Sequence, residues 1–186
     1  DAGSWFDGQY AGERVPRLEP FLRWLKGKAK VFLDVKAAYH EPLLDIIYRT
    51  GFQHECFLWS SSERWMRDLR RLDPHLALKV NANTTTAVAE AAIDYKANII
   101  EVDLADMNES ILSACRQHGL KLMIYERSKD RAAYGKVIDW GADMINLNHG
   151  DLFLEVARQR QALQPSVKTI QPNVFLPAQR QVGLRQ

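Results

Sequence analysis

Eight polar side chains stand at equivalent places, at or just past the end of a short aliphatic run: Asp34, Lys36, Lys79, Asn81, Glu101, Asp103, Asn146 and Asn148. Gathered into one ring, carboxylates, amides and ammonium groups suit a hard cation such as Mg²⁺ or Ca²⁺ together with an anion such as phosphate. The competing reading is a solvated rim held by salt bridges, Asp34 to Lys79 being the expected one. His149 follows the last run and has the chemistry of a general acid, although a lone histidine there also suits a loop or cap. His40, His54, His75 and His118 fall in loops or near helix ends and read as structural. Ser60, Ser61 and Ser62 lack both a base and a Gly-x-Ser-x-Gly elbow, so capping the helix that starts at Glu63 is an expected task for them. Trp65, Met66 and Leu69 have the spacing of a core-facing helical stripe. The glycines open no helix with the spacing of a phosphate-cradling loop.

The elements that must position these groups repeat. Strands are expected over residues 30–36, 56–60, 76–81, 98–103, 121–126 and 144–148, and helices over 18–25, 41–49, 63–72, 85–95, 109–117, 130–140 and 151–163. Gly51, Gly119 and Gly141 each follow a helix, where a left-handed cap favours glycine, and each leads into a strand. Alternating βα units without hairpin signals imply a parallel sheet. Alternation within the runs decides between its two forms. Val31, Leu33 and Val35 oppose Phe32, Asp34 and Lys36; Ile100, Val102 and Leu104 oppose Ile99, Glu101 and Asp103. An open doubly wound sheet is covered on both faces and would read apolar on both. A barrel turns one apolar face to its helices and places polar groups inward at the carboxy-terminal mouth.

The expected fold is therefore α/β, a partial (β/α)8 TIM barrel of about six βα units with the N-terminal strands missing. A complete barrel has eight strands and runs to about 250 residues, and the first seventeen residues here read as a loop. Alone, the chain would expose two sheet edges, which predicts poor solubility.

Composition narrows the class further. The chain has 186 residues, 46% of them hydrophobic, enough for one domain, expected over 1–186. With 25 lysines and arginines against 23 acidic residues, its net charge of +2 offers no field for a polyanion, so no nucleic-acid partner is expected. Cys56 and Cys115 lack disulfide or zinc spacing and read as buried thiols. No apolar run reaches the roughly 18 to 20 residues that cross a bilayer, and no signal peptide opens the chain. Since any such leader would lie upstream, localisation stays open between cytoplasmic and secreted or periplasmic, as does the oligomeric state.

A resemblance adds to this. Gly3-Ser4-Trp5-Phe6, followed by Tyr10-Ala11-Gly12-Glu13-Arg14-Val15-Pro16-Arg17-Leu18-Glu19, resembles a segment of the glycerophosphodiester phosphodiesterase family, in which Gly-x-Trp-Phe leads to Gly-Glu-x-Ile-Pro-Thr-Leu-Glu. Phe32-Leu33-Asp34-Val35-Lys36 is similar to that family's Ile-Glu-Ile-Lys strand, and Trp59-Ser60-Ser61 to its Ser-Ser-Phe strand end. The stretch Gly141 to Asp151 resembles its Gly-x-Asp-x-Ile-x-Thr-Asp-x-Pro-Asp pattern. The resemblance spans nearly the whole chain in order. It implies a C-terminal portion of a barrel that hydrolyses glycerophosphodiesters to glycerol 3-phosphate and an alcohol with a divalent metal, Mg²⁺ or Ca²⁺.

What the resemblance implies for residues is a metal-binding Asp34 and a catalytic Lys36 near the phosphate; Ser60, Lys79, Asp103, Tyr125 and Asn148 are the expected substrate-binding set for a small-molecule phosphodiester. Aspartate in place of glutamate shortens the arm by one methylene, so the metal would sit closer or bind through water. Tyr125-Glu126-Arg127-Ser128 replaces the usual Trp-Thr-Val-Asn, Asn148 replaces an aspartate, and Ser61 stands where an aromatic is usual, which implies a divergent pocket. The family's acid and base histidines and its Glu-x-Asp ligands match nothing in this chain and are expected upstream. Two other readings remain: a degenerate barrel that binds a phosphorylated ligand or partner without turnover, and an unrelated barrel enzyme acting on a sugar phosphate. The 186 residues alone are expected not to turn over a glycerophosphodiester; metal-dependent hydrolysis by the isolated chain would refute this.

Overall fold

A computed structural model describes residues 1–163; residues 164–186, included in the expected domain, lie outside the described residues. Seven helices and six strands alternate: α1 (Leu18–Leu25), β1 (Val31–Asp34), α2 (His40–Arg49), β2 (Cys56–Trp59), α3 (Glu63–Leu72), β3 (Ala77–Asn81), α4 (Thr85–Asp94), β4 (Ile99–Asp103), α5 (Glu109–Gln117), β5 (Lys121–Tyr125), α6 (Arg131–Asp139), β6 (Met144–Asn146) and α7 (Gly150–Leu163). The strands pair in sequence order as one six-stranded sheet, and all five pairings are parallel. Successive βα units laid side by side curl the sheet into a half-barrel, a partial TIM barrel as expected. Among the described residues, β1 and β6 are each paired on one side only.

The local signals act as the sequence suggests. The Ser62 side chain accepts the Trp65 amide at the start of α3, and Asn108 accepts the Ser110 and Ile111 amides at the start of α5, removing donors that the first turn leaves unpaired. Gly51, Gly119 and Gly141 stand just past the ends of α2, α5 and α6 at φ of 73°, 65° and 66°, where a Cβ would be strained. The leading segment differs in detail from a plain loop. A 3-10 turn covers Gly8–Tyr10, and the Asp1 carboxylate accepts the Gly3, Ser4 and Gly12 amides and the Ser4 hydroxyl.

Strand alternation sorts side chains into two layers. Toward the helices, Leu58, Leu78, Ile100, Val102 and Ile124 are fully buried against Leu22, Ile47, Leu69, Val88 and Ile111, each burial contributing about 1.5 to 3 kcal/mol. Cys56 and Cys115 lie in this layer as free thiols; burial raises them to about 12 and about 11, so neither is a nucleophile near neutral pH. On the concave face, Phe57, Ile99 and Met123 form a separate apolar floor with Phe32, Ala77 and Met144. A groove of about 320 Å³ lies on the open side between the floor residues of β1 and β6.

Two polar devices tie the outer layer to the sheet. Arg70, 7% exposed, donates to the carbonyls of Tyr95, Asp73 and Lys96 and to Asn98 Oδ1, joining the ends of α3 and α4 to the start of β4. Asp73 accepts from the Tyr48 hydroxyl at 2.6 Å and from the His75 and Leu76 amides. Burial pushes the Asp73 carboxyl up, but these hydrogen bonds outweigh it and hold it below its ordinary value, while the same contact raises Tyr48 to about 12.

The sign of the resulting pH dependence follows. Folding lowers this carboxyl, so its contribution is complete above the unfolded value of about 3.9 and is lost as pH falls through the lower folded value. Asp73→Asn is expected to cost about 1 to 3 kcal/mol at pH 7 and to flatten the acid limb of stability; denaturant melts at pH 7 and pH 3 measure both.

Candidate active site

Parallel strands that turn every second residue inward bring one rim of polar groups to the carboxy-terminal ends, above the apolar floor. At the end of β1, Asp34 is paired with Lys36, Oδ2 to Nζ 2.7 Å, with 41% and 73% of the respective side chains exposed. Trp59 stands opposite Asp34 in the β1–β2 register. Its ring lies 5.2 Å from Lys36 Nζ and 4.7 Å from Lys79 Nζ.

Below this rim, Lys79 on β3 is buried and bonded to Glu101 on β4 at 2.8 Å; their side chains are 2% and 8% exposed. Asn146 on β6 donates to the other oxygen of Glu101 at 2.9 Å, so one carboxylate joins three strands. The Phe32 ring, stacked on Phe57, closes the other side of the ammonium, 5.2 Å from Nζ. Burial pushes the Lys79 ammonium below its ordinary value, opposed by Glu101 and more weakly by Asp34. The expected Asp34 to Lys79 bridge is therefore corrected: Lys36, two residues past the end of β1, takes Asp34, and Lys79 is sealed against Glu101.

Asp103 and Tyr125 are paired in register on β4 and β5, and Tyr125 with Asn146 on β6. The Asp103 carboxylate accepts from Asn83 Nδ2, and its amide donates to Asn83 Oδ1, both at 3.1 Å. Asn148 is exposed in the bend past β6. Ser60 is buried in the turn after Trp59, where its hydroxyl accepts the Ser62 amide at 3.3 Å. The fold thus brings Asp34, Lys36, Asp103 and Tyr125 to the rim, seats Lys79 beneath it, and holds Ser60 in the turn into α3.

Two aromatic residues emerge beyond the sequence reading. Trp59 supplies the wall between both lysines; its strand, Cys56-Phe57-Leu58-Trp59, has no polar contrast to reveal which side chains point inward. Trp65, read as a core residue, packs at the core's edge and also clamps the β1–α2 loop. Its Nε1 donates to the Ala38 carbonyl at 2.8 Å, and His40 stacks on its ring while donating from Nε2 to its carbonyl. Among the described residues, no group of three or more His, Cys, Asp or Glu side chains is placed to hold a metal ion.

No protein-family model matches the chain. A curated Bacillus subtilis (strain 168) protein, YhdW, to which glycerophosphodiester phosphodiesterase activity is provisionally ascribed, is 21% identical over 164 residues, 83% of this chain and 67% of that protein. The crystal structure of a glycerophosphodiester phosphodiesterase from Agrobacterium tumefaciens str. C58 superposes with a TM-score of 0.77 at 29% identity, covering 83% of this chain and 68% of the other. A glycerophosphoryl diester phosphodiesterase from Parabacteroides distasonis ATCC 8503 shares the fold, with a TM-score of 0.63, 22% identity, and coverage of 84% and 59%. The chain resembles glycerophosphodiester phosphodiesterases in sequence and fold over most of its length, and spans about two thirds of the length of the first two relatives.

The buried pair makes a specific stability pattern. Lys79→Met alone leaves Glu101 buried without its cation and is expected to cost about 3 to 5 kcal/mol, whereas Lys79→Met with Glu101→Leu is expected to recover most of that loss. Denaturant titrations of the two variants check the difference.

Proposed function

We propose, taking kinship with glycerophosphodiester phosphodiesterases as the premise, that these six units form the greater part of a barrel that hydrolyses glycerophosphodiesters to glycerol 3-phosphate and an alcohol. The observation that carries the reading is the Asp34–Lys36 pair at the carboxy-terminal end of β1, exposed to the mouth. That is where the family resemblance puts a metal-binding carboxylate and a phosphate-facing lysine.

In this reading Lys36 holds the phosphoryl oxygens of the diester, and the buried Lys79 adds its charge from beneath. Their positive charge offsets the charge that develops on those oxygens as water attacks phosphorus and the bond to the alcohol oxygen breaks. Asp103, Tyr125 and Asn148 offer donors and acceptors to the organic part of the substrate, and Ser60 supports the wall from the turn. Asp34 contributes one carboxylate to a divalent cation, Mg²⁺ or Ca²⁺, and its remaining ligands come from outside the described residues. Such a cation, when bound, neutralises charge on the diester. The proton that reaches the departing alcohol, and the base that takes one from water, are likewise assigned to the part of the barrel that pairs with β1 and β6.

A second reading, a barrel that binds a phosphorylated ligand without turnover, draws on Asn148 in place of an aspartate and on the altered Tyr125-Glu126-Arg127-Ser128 stretch. Activity separates the two. The intact protein is expected to release glycerol 3-phosphate from glycerophosphocholine, EDTA is expected to abolish the rate, and Lys36→Met to lower kcat/KM by about 10²- to 10³-fold. Full activity in Asp34→Ala would sink the metal assignment, and absence of turnover with phosphate binding retained would favour the second reading.

A further inference from the structure

We propose that Trp65 is a positioning residue for Lys36: its indole ties the β1–α2 loop to α3 and so fixes, at the mouth, the place from which the ammonium meets an anion. For the identity of that anion, a phosphoryl group, the proposal rests on the function proposed above.

Little else holds the loop. Residues 36–39 are all exposed, so no buried side chain anchors them. The ion pair of Lys36 with Asp34 has 73% and 41% of the respective side chains exposed, a setting in which solvent leaves such a contact weak. Two backbone groups supply the anchorage. Ahead of the lysine, the Val35 amide donates to the Trp59 carbonyl on β2 at 2.8 Å. Behind it, the Ala38 carbonyl accepts from Trp65 Nε1 at 2.8 Å. Lys36 and Ala37, both in a bend, lie between these two ties.

The clamp is itself held from three sides. Ser62 Oγ, the cap of α3, accepts the Trp65 amide at 3.3 Å. His40, at the start of α2, stacks on the indole with ring centroids 4.6 Å apart and 18° between the planes, and its Nε2 donates to the Trp65 carbonyl at 2.9 Å. The side chain also packs against the apolar core. An indole has one N–H donor and no acceptor, so its polar capacity goes entirely to Ala38. For filling the core's edge alone, phenylalanine would serve; the N–H is what reaches the loop. Without it the exposed residues 36–39 are hinged between β1 and α2, and Lys36 samples positions away from its anion. A group already held near its working geometry gives up less freedom on engaging a ligand.

The test is a double-mutant cycle in the intact protein, read as kcat/KM for glycerophosphocholine. Trp65→Phe keeps an aromatic ring and removes the donor; it is expected to lower kcat/KM by about tenfold when Lys36 is present, the order of loss that follows a misplaced group. In a Lys36→Met background the same substitution is expected to change the rate by less than about twofold, since there is no lysine left to position. A role in stability alone would give the same fractional loss in both backgrounds. Limited trypsin digestion reads the tether without reference to function: cleavage between Lys36 and Ala37 is expected to be severalfold faster in Trp65→Phe than in the wild type, because a freed loop opens more readily to a protease. Equal fractional losses in both backgrounds, no loss in either, or an unchanged cleavage rate overturns the proposal. Should Trp65→Phe not fold, His40→Ala, which removes the ring stacked on the indole, must show the same background-dependent loss and the same faster cleavage; their absence overturns it equally. Turnover by the wild type with additive losses removes the positioning role alone. Faster cleavage in a protein without turnover supports the tether and removes the phosphodiesterase.

Discussion

Burying an ammonium and a carboxylate on the concave face of a parallel sheet carries a desolvation cost of several kcal/mol per ion. Lys79 and Glu101 offset it by closing on each other at 2.8 Å, with Asn146 completing the carboxylate. That closure demands a particular register. Lys79 and Glu101 share the inner face because β3 and β4 pair as Lys79 with Ile99 and Asn81 with Glu101. A slip of one residue would turn either charge onto the helix-facing layer occupied by Leu78, Val80, Ile100 and Val102, where nothing polar could receive it. The bond from Asn146 adds β6, forty-five residues farther along the chain. The curl of the half-barrel and the charge at its centre are thus one constraint.

The consequence for the mouth is a division of labour between two carboxylates. Asp34, at the exposed rim, shares its charge with Lys36 and faces incoming ligand. Glu101, one layer deeper, is spent on Lys79. Trp59 lies against both ammonium groups and keeps them on the same side of the mouth. Lys36 is further constrained from behind, because the loop that follows it is held to α3 by Trp65 and His40. Two lysine–carboxylate pairs, Lys36 with Asp34 and Lys79 with Glu101, stand toward β1–β4, while Tyr125 and Asn148 stand toward β5 and β6.

Much of this was legible in the sequence. Helices α1, α3 and α5 have the expected bounds; at α3 and α5 the capping side chains of Ser62 and Asn108 mark the starts. The inward facing of Asp34, Lys79, Glu101 and Asp103 follows from alternation alone. Partner choice did not follow. Which groups meet depends on the stagger between neighbouring strands, and no local pattern encodes it, so the pairing of Lys79 with Glu101 rather than Asp34 is visible only in the fold. Trp59 was hidden by an all-apolar strand. Ser60 drew attention through its place in a resemblance, whereas the pleat points its neighbour inward and the turn engages its hydroxyl.

The most direct measurement is a crystal structure of the intact protein with glycerol 3-phosphate bound. The phosphoryl oxygens are expected within hydrogen-bonding distance of Lys36, with Glu101 still bridging Lys79 and Asn146. A phosphoryl group bound away from Lys36, or Glu101 turned out of the network onto a metal ion, would contradict the assignment of this rim as the phosphodiester site.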